Sequence, residues 1–283
     1  MTEQATTGDP TENHRLSGRI AIVTGASSGI GQAIAERLGA HGADVHLLGR
    51  SMGPMQESVA TISTAGGAAT AHQLDVRDIA ALQTTIRDIS QAAGGLHIMV
   101  SNAGLGHTSP ITEGDPESWR EMLEVNVLAL ASGCQAAIEM MRSTGSEGHL
   151  INISSVAALR RDSGMYGATK HAVNCINASL REELEDDSIR VTSIMPGVFA
   201  TNFARHFDPE FVAGLAAVAG RDAVEFDDDG HLPREVLGDV QQAMSSMIGN
   251  VGEIAKAVEY VVTQPIEVNI EELVIRPQKS LPL

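Results

Sequence analysis

Cysteine is scarce in this chain of 283 residues, which contains only Cys134 and Cys175. The two are far apart and form no Cys-x-x-Cys spacing, so the sequence offers neither a disulfide framework nor a typical zinc-ligand set. We predict that both thiols are buried and chemically inert. The ten histidines form no His-x-x-x-His pair and no His/Cys cluster. The sequence therefore predicts no metal site.

Positive charge and long apolar stretches are also in short supply. The chain has 19 Lys and Arg against 36 Asp and Glu, a formal net charge of −17, and a surface of that sign repels nucleic acid. No stretch approaches the roughly 18 uncharged apolar residues that span a bilayer. The first residues are polar and lack the apolar core of a signal peptide. We therefore expect a cytoplasmic protein that binds neither nucleic acid nor membranes.

The pattern along the chain indicates one α/β domain. Residues 1–15 are polar and aperiodic, which predicts a disordered N-terminal extension. From Arg19 onwards, short β-branched apolar runs alternate with longer amphipathic stretches, as is typical of βαβ units. We predict a single Rossmann-type domain over residues 16–283, with helices on both faces of a doubly wound, parallel, seven-stranded sheet. The predicted strands are residues 19–25, 44–49, 69–74, 96–101, 148–154, 190–195 and 271–276.

A long insertion interrupts this alternation at residues 202–247, and such excursions are typical of substrate lids. All five phenylalanines lie in or beside it, at positions 199, 203, 207, 211 and 226. The first four recur every four residues, which places them on one helical face. Two interpretations are open: the rings pack a lid helix onto the body, or some of them line a pocket for an apolar or cyclic substrate. The acidic residues at 225–229 are typical of a solvated patch.

A glycine-rich turn follows the first predicted strand and opens a helix. Gly25, Gly29 and Gly31 permit a tight turn and a close backbone approach, so that amides at the helix N-terminus can face a pyrophosphate. Glycines also cap helices for purely structural reasons. The strand–turn–helix context favours nucleotide binding. The residues predicted at the phosphates are Gly25, Ser27, Ser28, Gly29, Ile30 and Gly31.

The end of the second predicted strand indicates which dinucleotide would bind. A carboxylate there would bond the ribose 2′-hydroxyl of NAD, but the sequence has Arg50 and Ser51 instead. A guanidinium and a hydroxyl suit the 2′-phosphate of NADP. We predict NADP, with NAD as the alternative if Arg50 stacks on the adenine or faces solvent.

Tyr166 and Lys170 are four residues apart, so on a helix they share a face. Reduction of a carbonyl, or oxidation of an alcohol, requires an acid/base group that works near neutral pH. Tyrosine has an ordinary pKa of about 10, and a neighbouring ammonium lowers the pKa of a phenol. The pair therefore predicts an acid/base centre. Ser155, after the fifth predicted strand, is the candidate hydroxyl that orients the substrate oxygen, with Ser154 as the alternative.

Together and in this order, these motifs resemble the short-chain dehydrogenase/reductase family. Thr24 to Gly31 matches the family's Thr-Gly-x-x-x-Gly-x-Gly turn, and Tyr166 to Lys170 matches its Tyr-x-x-x-Lys pair. The resemblance covers residues 17–201 and is weaker thereafter. It implies an NAD(P)-dependent oxidoreductase. The catalytic residues that it implies are Asn126, Ser155, Tyr166 and Lys170.

The resemblance also implies further roles. Asn126 would hold a water in a proton relay toward the lysine; a helix-interior asparagine bonded to the backbone is the alternative. Asp75 would read the adenine amino group, with a solvated strand-end carboxylate as the alternative. The helices that carry Asn126 and Tyr166 would assemble a homotetramer or homodimer. The other residues implied to bind the cofactor are Val76, Asn102, Ala103, Gly104, Pro196, Gly197, Val198 and Thr201, together with Tyr166 and Lys170.

The sequence thus predicts hydride transfer between a nicotinamide cofactor and a ketone or secondary alcohol. Because a fold does not by itself establish a chemistry, a non-catalytic dinucleotide sensor on the same scaffold is the alternative. The two differ in whether Tyr166 supports turnover.

Overall fold

The computed structural model describes residues 15–107, 109–201, 203, 217 and 232–279. Its centre is a seven-stranded parallel sheet in the order β3-β2-β1-β4-β5-β6-β7, which confirms the predicted fold class. The order reverses between β1 and β4, the place where doubly wound sheets form a ligand crevice. The strands are β1 (Ile20–Thr24), β2 (Asp44–Gly49), β3 (Ala68–Gln73), β4 (Ile98–Ser101), β5 (Gly148–Ile153), β6 (Ile189–Pro196) and β7 (Glu272–Ile275).

Helices cover both faces of the sheet. Helices α1, α2 and α8 contribute to one buried apolar cluster, and α3, α5 and α6 to the other. The strands alternate between the two clusters: in β1, Ala21 and Val23 face the first, whereas Ile20 and Ile22 face the second. The helices are α1 (Gly29–Ala40), α2 (Met52–Thr64), α3 (Ile79–Ala93), α4 (Pro116–Leu123), α5 (Leu130–Thr144), α6 (Gly164–Glu183), α7 (Arg234–Ala243) and α8 (Val251–Val262).

Apolar residues recur every three or four positions from Trp119 to Met141, a pattern that predicts a helix over this range. The structure instead joins α4 to α5 through a π-helical segment, Glu124–Ala129. The main chain stays helical throughout, because Leu123 and Leu130 at the junctions both have right-handed helical dihedral angles. Periodicity of apolar residues locates such a helix but does not reveal one widened turn.

Part of the predicted lid is described. Helix α7 lies within residues 202–247 and buries Val236 and Val240. Residues 1–14, the acidic patch at 225–229 and the phenylalanines at 207, 211 and 226 lie outside the described residues.

The prediction of two buried thiols is wrong for one of them. Cys134 is buried, but Cys175 is exposed, because it lies on the solvent side of α6. None of the helices in the described ranges is long and apolar enough to cross a membrane.

His149 on β5 should make the fold sensitive to acid. Its Nδ1 finds no hydrogen-bond partner among the described residues, and burial, aided by the charges of Arg19 and Arg190, lowers its pKa to about 4. The unfolded chain binds this proton near pH 6.5, so between pH 6.5 and 4 it holds more protons than the native chain. The free energy of unfolding therefore falls as pH drops through this window, by up to about 3 kcal/mol.

We expect His149→Gln to remove most of this pH dependence. Urea unfolding at pH 7 and pH 4.5 gives the loss in free energy of unfolding for each protein. The contribution of His149 is the loss in the wild type minus the loss in the variant. The other histidines remain in both proteins and cancel in that difference. Equal losses in the wild type and the variant would contradict the assignment to His149.

Candidate active site

A cavity of about 570 Å³ opens at the carboxyl ends of the strands, where the strand order reverses. Most of the residues singled out in the sequence line it, although they come from distant parts of the chain. Those that line it are Gly25, Ser27, Ser28, Gly29, Ile30, Arg50, Ser51, Asp75, Val76, Asn102, Ala103, Gly104, Ser155, Tyr166, Lys170, Pro196, Gly197, Val198 and Thr201. Gly31 and Asn126 stand directly behind the lining, against Asn102 and Leu105.

Glycine at positions 25, 29 and 31 allows the turn to approach neighbouring residues more closely than any side chain would permit. Gly25 and Gly29 have φ of +64° and +57°, in the left-handed region that favours glycine. A Cβ on Gly25 would lie 2.8 Å from Cα of Ala103. A Cβ on Gly31 would overlap Nδ2 of Asn102 and the carbonyl oxygen of Gly25. The turn therefore brings bare backbone to the N-terminus of α1, which is the geometry that suits a pyrophosphate.

Thr24 and Asn102 tie the glycine turn to the end of β4. The Thr24 hydroxyl oxygen accepts hydrogen bonds from the backbone amides of Asn102 (3.0 Å) and Ala103 (3.1 Å). Nδ2 of Asn102 donates to the carbonyl oxygens of Thr24 (3.0 Å) and Gly25 (3.2 Å). The Asn102 amide group thus holds the turn itself in place, a role that the sequence did not indicate.

Asp75 forms an ion pair that neither sequence interpretation foresaw. Its carboxylate accepts hydrogen bonds from Nε (3.0 Å) and Nη2 (2.6 Å) of Arg77, whose Nη1 also donates to Glu121 (3.1 Å). The hydrogen bond from Arg77 lowers the pKa of Asp75, and the charge of Arg50 lowers it further. Arg77 lines the cavity beside Arg50. The sequence signal that could have identified Arg77 as a site residue is its position two residues after Asp75, in the turn that follows β3.

Ser155, Tyr166 and Lys170 meet at the end of β5. The Ser155 side chain lies beside the Tyr166 hydroxyl, where it acts to lower the pKa of the phenol. Nζ of Lys170 lies 5.9 Å from the Tyr166 ring centroid and donates to the carbonyl oxygen of Ile153 at 2.9 Å. Ser154 donates instead to the backbone carbonyl oxygen of Lys170 at 3.3 Å. Of the two serines, Ser155 is therefore the one that contacts the phenol.

The expected lowering of the tyrosine pKa does not occur in the polypeptide by itself. Tyr166 lines the cavity, and desolvation raises its pKa to about 12 although the neighbouring Ser155 side chain acts to lower it. Burial of the Lys170 ammonium lowers its pKa to about 8. The prediction that the pKa of Tyr166 is lowered is therefore wrong, because desolvation of the phenol outweighs the contribution that favours the phenolate.

Asn126 holds the loop after β4. Its Nδ2 donates to the carbonyl oxygen of Leu105 (2.9 Å) and to the Thr169 hydroxyl (3.0 Å), and its Oδ1 accepts from the amide of Leu105 (2.9 Å). Both amide hydrogens are thus committed to the protein, as the backbone-bonding alternative predicted. Asn126 lies inside the π-helical segment, where main-chain carbonyls depart from the regular helical pattern. A role for Asn126 in holding a water stays a prediction, and its main-chain carbonyl group would have to perform it.

The remaining lining is mostly apolar and was not found from the sequence. Phe199 and Phe203 both line the cavity, which favours the pocket interpretation for these two rings. The Phe203 ring packs on Tyr166 with 5.3 Å between ring centroids. The apolar residues that sequence reasoning missed include Leu105, Leu237, Val240 and Ile248. Among the residues of the described ranges, no group of three His, Cys, Asp or Glu side chains is arranged to hold a metal ion.

Comparison with known proteins adds an independent line of evidence. A family model described as short chain dehydrogenase matches residues 19–210, which include the glycine turn and Tyr166 to Lys170. A Staphylococcus aureus protein named as an uncharacterized oxidoreductase is 33% identical over 264 residues, covering 93% of this chain and 98% of that protein.

Two solved structures resemble the whole sheet and its helices. An alcohol dehydrogenase from the archaeon Thermococcus sibiricus, complexed with 5-hydroxy-NADP, gives a TM-score of 0.74 at 25% identity, covering 94% of this chain and 99% of the other. A short chain dehydrogenase from Burkholderia cenocepacia, in complex with NADP, gives a TM-score of 0.74 at 29% identity, covering 93% and 98%.

Proposed function

Since the chain belongs to the short-chain dehydrogenase/reductase family of oxidoreductases, we propose that it transfers a hydride between NADP(H) and an apolar ketone or secondary alcohol. The observation that carries the proposal is the contact of Tyr166 with Ser155, beside buried Lys170, in the cavity that the glycine turn also lines. The test is a panel of ketones with NADPH, and of alcohols with NADP⁺, followed at the nicotinamide absorbance. Absence of turnover across a broad panel would count against it.

The residues present fit this cofactor. The backbone amides of the glycine turn and of the start of α1 would hold the pyrophosphate. Glycine at positions 25 and 31 allows the turn to pack tightly, because a Cβ at either position would collide with Ala103, Asn102 or the Gly25 carbonyl oxygen. Arg50 and Ser51 line the same cavity at the end of β2 and would hold a 2′-phosphate. The NADP complexes of two similar structures support this choice over NAD. When bound, the nicotinamide supplies or accepts the hydride.

The polypeptide supplies the proton. In the reductive direction, Tyr166 donates its hydroxyl proton to the substrate oxygen as that oxygen takes up the electron pair of the breaking C=O π bond. A phenol with a pKa of about 12 is protonated at neutral pH and ready to donate. Ser155 orients the same oxygen, and Lys170, with a pKa of about 8, carries mostly positive charge that stabilises the phenolate left behind.

Arg50→Ala should separate the two dinucleotides. Loss of a charge-assisted hydrogen bond to a phosphate corresponds to about 10- to 100-fold in affinity. We expect the Kd of NADPH to rise by that factor while the Kd of NADH changes less than about threefold, as measured by fluorescence titration. Arg120→Ala is the matched control, since Arg120 is exposed on α4 and pairs only with Glu117 within the described residues. If the affinities for NADPH and NADH fell by the same factor, Arg50 would not be a 2′-phosphate-binding residue.

The proposal extends to assembly and location. Leu123 and Leu128, on the helical stretch that carries Asn126, are 43% and 52% exposed, and such apolar side chains favour a homotetramer or homodimer through that stretch and α6. Sedimentation that shows only monomer would contradict this. We also propose that residues 16–283 act as one catalytic domain in the cytoplasm, which limited proteolysis and cell fractionation would test.

A further inference from the structure

Gly106, Phe203 and Tyr166 meet at one wall of the cavity. An added Cβ on Gly106 would lie 2.6 Å from Cζ of Phe203 and 3.1 Å from Cδ2 of Tyr166. The two rings pack against each other at an angle of 56°. Contacts at 2.6 Å do not occur between carbon atoms, so the two rings can adopt this arrangement only because position 106 has no side chain.

The backbone at Gly106 has little freedom to retreat from the rings. Leu105, on one side, is held by Asn126 through both its amide and its carbonyl oxygen at 2.9 Å. The amide of His107, on the other side, donates to Sδ of Met122 at 3.5 Å. A side chain at position 106 would therefore have to displace a ring and not the loop.

Tyr166 and Phe203 belong to different parts of the chain. Tyr166 is fixed by its place in α6. Phe203 lines the cavity, as do the apolar side chains of Leu105 and the α7 residues Leu237 and Val240. A substrate whose oxygen reaches the Tyr166 hydroxyl must place a substituent near this wall.

We propose that Phe203 determines substrate specificity by holding an apolar substituent of the ketone, and that Gly106 is a positioning residue that lets Phe203 lie against Tyr166. This inference rests on the proposed function. The substrate class that it assigns is a ketone, or the corresponding alcohol, with an aryl group or another bulky apolar group on the carbon that bears the oxygen.

The test is a double-mutant cycle on positions 106 and 203. Gly106 lacks a positive φ, so alanine suits its backbone and only the ring contact opposes Gly106→Ala. We expect kcat for an aryl ketone to fall on the order of 10- to 100-fold, because misplacement of a reacting group by about 1 Å has effects of that size. The Kd of NADPH should change less than about twofold. Phe203→Ala should raise KM for the aryl ketone more than for acetone.

The double variant is the decisive measurement. With Phe203→Ala present, the nearest neighbour that remains for the new Cβ is Cδ2 of Tyr166 at 3.1 Å, and a shift of a few tenths of an ångström relieves this contact. We expect Gly106→Ala/Phe203→Ala to recover the kcat of Phe203→Ala alone, so the two effects are not additive. Gly238→Ala, exposed on α7 with nothing within 4 Å of its added Cβ, is the matched control and should be neutral.

Thermal melting separates failure of this inference from failure of the proposed function. Gly106→Ala should lower Tm, and Phe203→Ala should offset part of that loss, whether or not a substrate is known. If the wild type turns over ketones but the kinetic losses of the two variants multiply, the positioning role is wrong. If Gly106→Ala matches the wild type in kcat and Tm, the ring contact itself is absent. If no ketone is turned over while the Tm coupling holds, only the proposed function fails.

Discussion

Tyr166→Phe should lower turnover by about 10²- to 10⁴-fold while the variant still binds NADPH, because general acid/base groups contribute factors of this size. The substitution removes one oxygen atom and leaves the ring that packs against Phe203. It deletes the only phenol in the described part of the chain that lines the cavity. The measurements are kcat for the best ketone of the panel and a fluorescence titration with NADPH.

The chain offers a matched control for this experiment. It has two tyrosines, and the second, Tyr260, is 56% exposed on α8, away from the cavity. Tyr260→Phe should leave kcat unchanged. If Tyr166→Phe retained turnover, the acid/base assignment would be refuted. The proximity of Tyr166 and Lys170 would then have no role in catalysis.

The second large effect is expected at Gly31. In Gly31→Ala the new Cβ would overlap Nδ2 of Asn102 and the carbonyl oxygen of Gly25. One of these atoms is main chain, and the other is the amide that fixes the turn, so neither can yield without opening the phosphate cradle. We expect NADPH affinity to fall by about 100-fold or more, comparable with the loss of several charge-assisted hydrogen bonds. Overpacking should also destabilise the fold by about 1–3 kcal/mol.

Gly53→Ala is the control for this change. Gly53 lies in α2, where nothing stands within 4 Å of an added Cβ, so alanine should be neutral or stabilise the helix by about 0.5–1 kcal/mol. Isothermal titration with NADPH and thermal melting of both variants make the comparison. Normal NADPH affinity in Gly31→Ala would show that this turn does not hold the pyrophosphate.

The strands were the most predictable part of the fold. Parallel strands covered on both faces consist of nearly continuous apolar runs, and every residue of β1, β4 and β5 is buried. Each predicted strand overlaps an observed one, with ends that differ by at most two residues. The widened turn between α4 and α5 was not predictable in this way, and it carries Asn126, whose hydrogen bonds go to Leu105 and Thr169 in distant parts of the sequence.

The site was predictable in its members but not in its electrostatics. Sequence motifs identify Tyr166 and Lys170 because the four-residue spacing is a local property of a helix. Their pKa values depend on how much water the whole fold excludes, and burial moves both toward the uncharged forms. The pairing of Arg77 with Asp75 and with Glu121 likewise joins a loop to α4, since Arg77 and Glu121 are 44 positions apart in the sequence.

Sequence alone was sufficient for the parallel α/β fold, the glycine turn and the tyrosine–lysine pair, because each depends on spacings of a few residues. Tertiary structure decided that Asn102 supports the turn, that Ser155 and not Ser154 contacts the phenol, and that Gly106 leaves room for Phe203. These contacts join segments far apart in the chain, and their distances follow from how the sheet and helices pack, which no local pattern of residues records.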